Sequence, residues 1–267
     1  MLGRMKIACA LLISFCLVRS AGAQDWAKAK LEKSPRHGEW VDVKHGDRTV
    51  HTFVVYPEVK DKAPVVLVIH EIFGLTDWAR GVADDLAARG YIAVAPDLLS
   101  GFGPGGGGTS AFAGVDAARG AVGKLDANGV TADLDAVADY AKKLPAASGV
   151  LAVAGFCWGG SQSFRFATSR KDLAAAFVFY GTGPDQVASI TAPVYGFYAE
   201  NDARVGATVP GSAAAMKTAG KTFDPVTYKG AGHGFMRAGE DPAGTKENKQ
   251  AHDDAWKRWE DILKKMK

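Results

Sequence analysis

The sequence predicts an α/β protein built on a doubly wound, mainly parallel sheet with helices on both faces. Three observations carry this. Short runs of continuous apolar residues recur along the chain, as expected of strands buried on both sides. Segments with helical spacing alternate with them, which is the signature of a parallel sheet covered by helices. No linker or internal repeat divides the 267 residues, so one domain from residue 24 to 267 is expected.

Val41 and Val43, then Val50, Thr52, Val54 and Tyr56, alternate at period two and predict two strands. Val65 to Ile69 is a β-branched run that predicts a buried strand. Thr76 or Asp77 caps a helix carrying Trp78, Val82 and Leu86, stopped near Gly90. Tyr91 to Ala95 is the next strand. Thr131 is expected to cap a helix bearing Leu134, Val137, Ala141 and Leu144, with Val150 to Ala154 following as a strand. Ala174 to Tyr180, Val194 to Ala199 and Pro225 to Lys229 add three more strands. A last helix places Trp256, Trp259, Leu263 and Met266 on one stripe. The segment Gly101 to Gly108 reads either as a flap beside a site or as a flexible connection. It lacks the Lys-Ser/Thr of a phosphate-binding loop.

The first 23 residues read as a cleaved export signal. Arg4 and Lys6 precede a 12-residue apolar stretch from Ile7 to Val18, and Ala21-Gly22-Ala23 forms a small-residue cleavage site. About 20 residues are needed to span a bilayer, so stable membrane insertion is not expected after cleavage. The expected location is therefore periplasmic or secreted. Removing Arg4, Lys6 and Arg19 leaves 29 basic against 29 acidic residues, and a neutral chain without charge runs excludes a nucleic-acid partner. Cys9 and Cys16 leave with the signal, so Cys157 is the single remaining thiol and no internal disulfide is expected.

That thiol sits in Gly155-Phe156-Cys157-Trp158-Gly159, between a buried strand and a helical segment. This is a nucleophile elbow with cysteine in place of serine. The turn places sulfur at a helix N-terminus, where the dipole and free N–H groups favour a thiolate, and it offers the Trp158 N–H to an oxyanion. The other reading is a glycine-flanked core cysteine. A base and its orienting acid follow in Ala231-Gly232-His233-Gly234 and Glu200-Asn201-Asp202, each after its own strand. The order Cys157, Asp202, His233 matches nucleophile, acid and histidine in α/β-hydrolases. His37, His45, His51 and His252 fall on predicted surface positions. His70 ends a buried strand, as either a packed or a site-lining histidine. Glu71, just beyond it, reads as a functional acid or as half of a structural ion pair, with Arg237 the candidate partner.

The chain resembles the dienelactone hydrolase family, from about His51 onward. The resemblance rests on His70-Glu71-Ile72-Phe73-Gly74-Leu75, Ala95-Pro96-Asp97-Leu98, Gly155-Phe156-Cys157-Trp158-Gly159-Gly160 and His233-Gly234-Phe235-Met236-Arg237. It implies an α/β-hydrolase fold, a triad of Cys157, His233 and Asp202, and hydrolysis of a lactone or small ester through a thioacyl-enzyme. It further implies that Glu71 takes the thiol proton when an anionic lactone binds. The Ile72 and Trp158 N–H groups would form the oxyanion hole, and Arg237 would grip both Glu71 and a substrate carboxylate. One departure is visible. Family enzymes acting on dienelactone carry a second arginine shortly after the Pro-Asp-Leu strand end, where this chain runs Leu99-Ser100-Gly101-Phe102. No metal or organic cofactor is expected, since neither ligand spacing nor a dinucleotide glycine pattern occurs. The competing functions are a thiol redox or peroxide sensor and a non-catalytic small-molecule-binding protein on the same fold.

Overall fold

The computed structural model describes residues 25–266, so the export signal expected over residues 1–23 lies outside the described residues. The elements run α1 (Asp25–Glu32), β1 (Gly38–His45), β2 (Arg48–Val55), β3 (Ala63–Ile69), α2 (Asp77–Ala88) and β4 (Ile92–Pro96). There follow α3 (Val115–Val122), α4 (Ala127–Lys142), β5 (Ala147–Phe156), α5 (Trp158–Ser169), β6 (Leu173–Phe179) and β7 (Val194–Asn201). The chain closes with α6 (Ala203–Gly206), α7 (Val209–Thr218), β8 (Phe223–Gly232), α8 (Phe235–Glu240) and α9 (Lys246–Leu263). The strands form one sheet in the order β1-β2-β4-β3-β5-β6-β7-β8. From β4 to β8 all pairings are parallel, whereas β1 pairs with β2 and β2 with β4 antiparallel.

The reason β3, β4, β5 and β6 read clearly as strands is their burial. Val65 to Ile69 and Ile92 to Ala95 have no exposed surface, so both faces of the pleat need apolar side chains. One face packs under α2 and α9, where Trp78, Phe156, Phe179 and Trp259 meet edge to face or stacked. The other packs under α4 and α5 through Leu134, Val137 and Phe164. Among the described residues no helix is long and apolar enough to cross a membrane.

Three expectations need correction. Thr131 does not cap α4. The helix starts earlier because the Asp126 side chain accepts the Gly129 N–H, and Thr131 donates its hydroxyl to the Ala127 carbonyl from inside the first turns. His45 is not a bystander, since its Nε2 lies 2.6 Å from Asp133 on α4. Met266 falls in a terminal 3-10 turn beyond α9 and still packs against the core reached by Trp259.

The glycine-rich segment 101–108 is anchored at its far end. Thr109 donates both its N–H and its hydroxyl to the buried Asp97 carboxylate at 2.7 Å, and its oxygen accepts the Leu75 N–H at 2.9 Å. At its near end, Arg48 donates to the Leu98 and Ser100 carbonyls while its Nε binds Asp133. Asp133 thereby ties α4 to the β1–β2 hairpin and to this loop. Breaking a buried ion pair costs about 3–5 kcal/mol, and His45 and Arg48 are exposed enough to regain water. Asp133→Ala should therefore destabilise the fold by about 2–3 kcal/mol in urea denaturation. A loss below about 0.5 kcal/mol, the range of ordinary surface substitutions, would contradict this role.

Candidate active site

The turn between β5 and α5 is set by close backbone approach. A Cβ on Gly155 would lie 1.9 Å from the Gly159 carbonyl oxygen, and one on Gly159 would lie 2.3 Å from that of His70. Only glycine permits this crossing, which leaves Cys157 alone at the tip with φ 57°. Such a conformation in a non-glycine residue costs of order 1–3 kcal/mol and must be held by its surroundings. The Cys157 N–H donates to the Phe179 carbonyl at 3.0 Å, and its own carbonyl accepts from Ser161 at 3.2 Å. The sulfur thus stands over the first turn of α5. Neither the Trp158 N–H nor the Ile72 N–H donates a hydrogen bond among the described residues.

His233 lies beyond β8 and Asp202 beyond β7, so the parallel pairing of these strands brings them together. Asp202 Oδ1 caps α6 by accepting the Val205 N–H, which turns Oδ2 toward the imidazole. His233 Nδ1 is 2.5 Å from Asp202 Oδ2, and its Nε2 is 3.1 Å from Cys157 Sγ. The three side chains form one continuous line. Burial works against the imidazolium, but the hydrogen bonds to Cys157 and Asp202 outweigh it and lift the His233 pKa to about 9.

Glu71 follows β3 and is 3% exposed. Burial pushes its carboxyl above the usual value, opposed chiefly by the Arg237 guanidinium, whose Nε donates to Oε2 at 2.8 Å. The ion-pair reading of Glu71 is the one seen directly. Glu71 is half of a buried ion pair, and it faces the same cavity as Cys157.

That cavity has a volume of about 460 Å³ and is also lined by Ile72, Phe73, Trp158 and His233. Sequence reasoning missed three of its walls. Tyr180, at the end of β6, sets its ring edge-on to His233 at 5.1 Å. Its place at the carboxyl edge of a strand beside the elbow was the available signal. Arg119 on α3 and Arg204 in α6 also line it, and neither has an ion-pair partner among the described residues. Nothing in their local sequence distinguishes them from surface arginines. A larger depression of about 1260 Å³ lies between the β1–β2 hairpin and the glycine-rich loop, bounded by Trp40, His51 and Arg80. Cys157, His233 and Glu71 do not reach it, so the chemistry selects the smaller cavity. Among the described residues no group of three or more His, Cys, Asp or Glu side chains could hold a metal ion.

The family model for the dienelactone hydrolase family matches residues 50–267. A Methylorubrum extorquens protein assigned as a carboxymethylenebutenolidase is 31% identical over 230 residues, covering 80% of this chain and 76% of that protein. The carboxymethylenebutenolidase of Pseudomonas putida is 29% identical over 201 residues, covering 70% and 82%. A crystal structure from Klebsiella pneumoniae, assigned as a dienelactone hydrolase, superposes with a TM-score of 0.73 at 26% identity, covering 85% of this chain and 98% of that one. The sheet order, the elbow and these matches agree: the chain belongs to the dienelactone hydrolase family, on the α/β-hydrolase fold.

Proposed function

We propose that this hydrolase cleaves a small lactone or carboxylic ester, preferably one bearing a carboxylate, through a thioacyl intermediate on Cys157. The observation that carries the reading is the unbroken line from Asp202 through His233 to Cys157 beside a cavity with two unbonded N–H groups. With the thiol proton on His233, the Cys157 sulfur attacks the acyl carbon and the carbonyl oxygen becomes an oxyanion facing the Ile72 and Trp158 N–H groups. Collapse breaks the C–O bond, and the leaving alkoxide takes the proton from His233 Nε2. The neutral imidazole then removes a proton from water, hydroxide adds to the thioester, and the acid leaves as the thiolate re-forms against imidazolium.

The preference for anions rests on the balance of the cavity wall. Arg119, Arg204 and Arg237 line it, and Glu71 is the acid on it. A substrate carboxylate competes with Glu71 for Arg237. Losing that partner removes the largest influence opposing burial on Glu71, which raises its proton affinity further and makes it a second acceptor for the thiol proton. Residues 24–267 would act as a single domain outside the cytoplasm, supported by the basic, apolar and small-residue pattern of residues 1–23. Exported material starting near Gln24 agrees with this, and material starting at Met1 opposes it.

Mixing with a chromogenic ester should give a burst of one leaving group per site before steady turnover, since the acyl-enzyme accumulates. Cys157→Ala should abolish both phases, and a variant that keeps turnover would refute the proposal. Esters carrying a carboxylate should react faster than neutral ones, and Arg237→Ala should remove that difference. Equal losses on both classes would assign Arg237 to the fold alone.

The pH profile follows from His233. Its pKa is raised above the ordinary 6.5, so the imidazolium needed by the leaving group persists at neutral pH and is lost as pH rises through about 9. kcat/KM should fall on the alkaline side near that value. Asp202→Asn removes an interaction that favours the charged ring, so the fall should move to lower pH; an unmoved or upward-shifted limb would contradict the assignment.

A further inference from the structure

His70 is used by no step above, yet it binds one of the two peptides to which the proposed oxyanion is assigned and packs on the side chain of the residue that supplies the other N–H. The residue follows β3 and has no exposed surface. Its Nδ1 lies 2.7 Å from the Glu71 carbonyl oxygen, so the ring carries its proton there and donates it. Burial pushes the imidazole pKa down and keeps the ring neutral, which leaves Nε2 a lone-pair acceptor. Among the described residues Nε2 has no partner. An unsatisfied buried nitrogen is a cost that a leucine or phenylalanine at this position would avoid.

What the ring holds is informative. The Glu71 carbonyl and the Ile72 N–H belong to the same planar trans peptide and point in opposite directions, so orienting one orients the other. The same carbonyl also accepts the Gly74 N–H at 3.2 Å, which closes the turn. A carbonyl that accepts hydrogen bonds polarises its peptide and makes the N–H at the other end a stronger donor. The imidazole plane meanwhile stacks on the Trp158 indole, with centroids 5.6 Å apart and 18° between planes. Trp158 supplies the second N–H. One buried side chain therefore binds the far end of one donor peptide and packs on the residue that carries the other.

We propose that His70 is a positioning residue, holding and polarising the Glu71–Ile72 peptide as an oxyanion donor; this rests on the acyl-transfer reading of Cys157. It does not line the cavity and makes no contact with substrate. Its effect passes entirely through the Ile72 N–H.

The test separates steps that form an oxyanion from one that does not. Alkylation of Cys157 by iodoacetamide is a displacement at carbon and needs only the thiolate, whereas ester cleavage needs the N–H pair. Removing an oxyanion donor outright costs about 10²–10³ in kcat, so misorienting one should cost about 10- to 100-fold. His70→Phe, which keeps a ring against Trp158 but has no donor, should lower kcat by that factor for neutral and carboxylate esters alike. KM and the alkylation rate should stay within about twofold, a range set against that loss. His70→Asn, whose Nδ2 stands as many bonds from Cα as the imidazole Nδ1 and can donate to the same carbonyl, should recover most of kcat. Should the phenylalanine variant fail to fold, His70→Met fills the space without a donor and carries the same expectation. Unchanged kcat in the donor-free variants, or parallel loss of alkylation and hydrolysis, would overturn the proposal. If wild-type protein gives no burst, the acyl-transfer reading itself fails, which is a different result from a normal burst that His70→Phe leaves intact.

Discussion

The backbone of Cys157 is held at positive φ by a crossing that only Gly155 and Gly159 allow, and the rest of the site is arranged around that point. The strain is carried by the surrounding sheet. The Cys157 N–H is fixed on Phe179 of β6, and Phe156 is stacked on the Phe179 ring beneath it. A core of large aromatic side chains against α9 therefore bears directly on where one sulfur atom stands. The same crossing brings the Gly159 peptide against His70, so the elbow and the 71–74 turn cannot move independently.

Charge in the cavity is distributed over two buried or half-buried pairs. His233 is balanced between Asp202 behind it and Cys157 in front, and Glu71 is balanced by Arg237. Burial opposes the charged form of both His233 and Glu71, and in each case a partner opposes burial. On His233 the partners win and the ring favours its charge. On Glu71 burial wins and the carboxyl sits above its usual value. Two titratable groups pushed in these directions thus flank one thiol, Glu71 from the buried side and His233 from the side open to solvent. The account of anion preference depends on this, since Arg237 is the ion-pair partner of Glu71 and also faces the cavity.

The sequence revealed those parts of the molecule whose physics is local. Val65 to Ile69 announces a strand because both faces are buried, and the elbow announces itself because its glycines are required at fixed spacing from Cys157. His233 and Asp202 could be found because each follows an apolar strand that ends at the same sheet edge. What stayed hidden depends on tertiary contact. The start of α4 was misplaced because Asn128 and Gly129 are poor helix formers, and the Asp126 cap outweighs them. Arg119 reaches the cavity through the placement of α3 after the glycine-rich loop, which no periodicity encodes. The glycine-rich loop reads from sequence as flap or connection alike, and the anchoring of its far end by Thr109 on Asp97, a pairing across 12 residues, has no local signal. His70 was legible as buried, but its link to Glu71 and Trp158 appears only in three dimensions.

The central claim is that an acyl group passes through the Cys157 sulfur. Rapid quenching in acid during turnover of a slowly hydrolysed ester, followed by peptide mass analysis, addresses it most directly. The account predicts that the peptide containing Cys157 gains the mass of the acyl group, in a form removed by hydroxylamine as a thioester is. An acyl adduct on another residue, such as Ser161 in the same peptide, or hydrolysis with no adduct under conditions where a burst is seen, would contradict it.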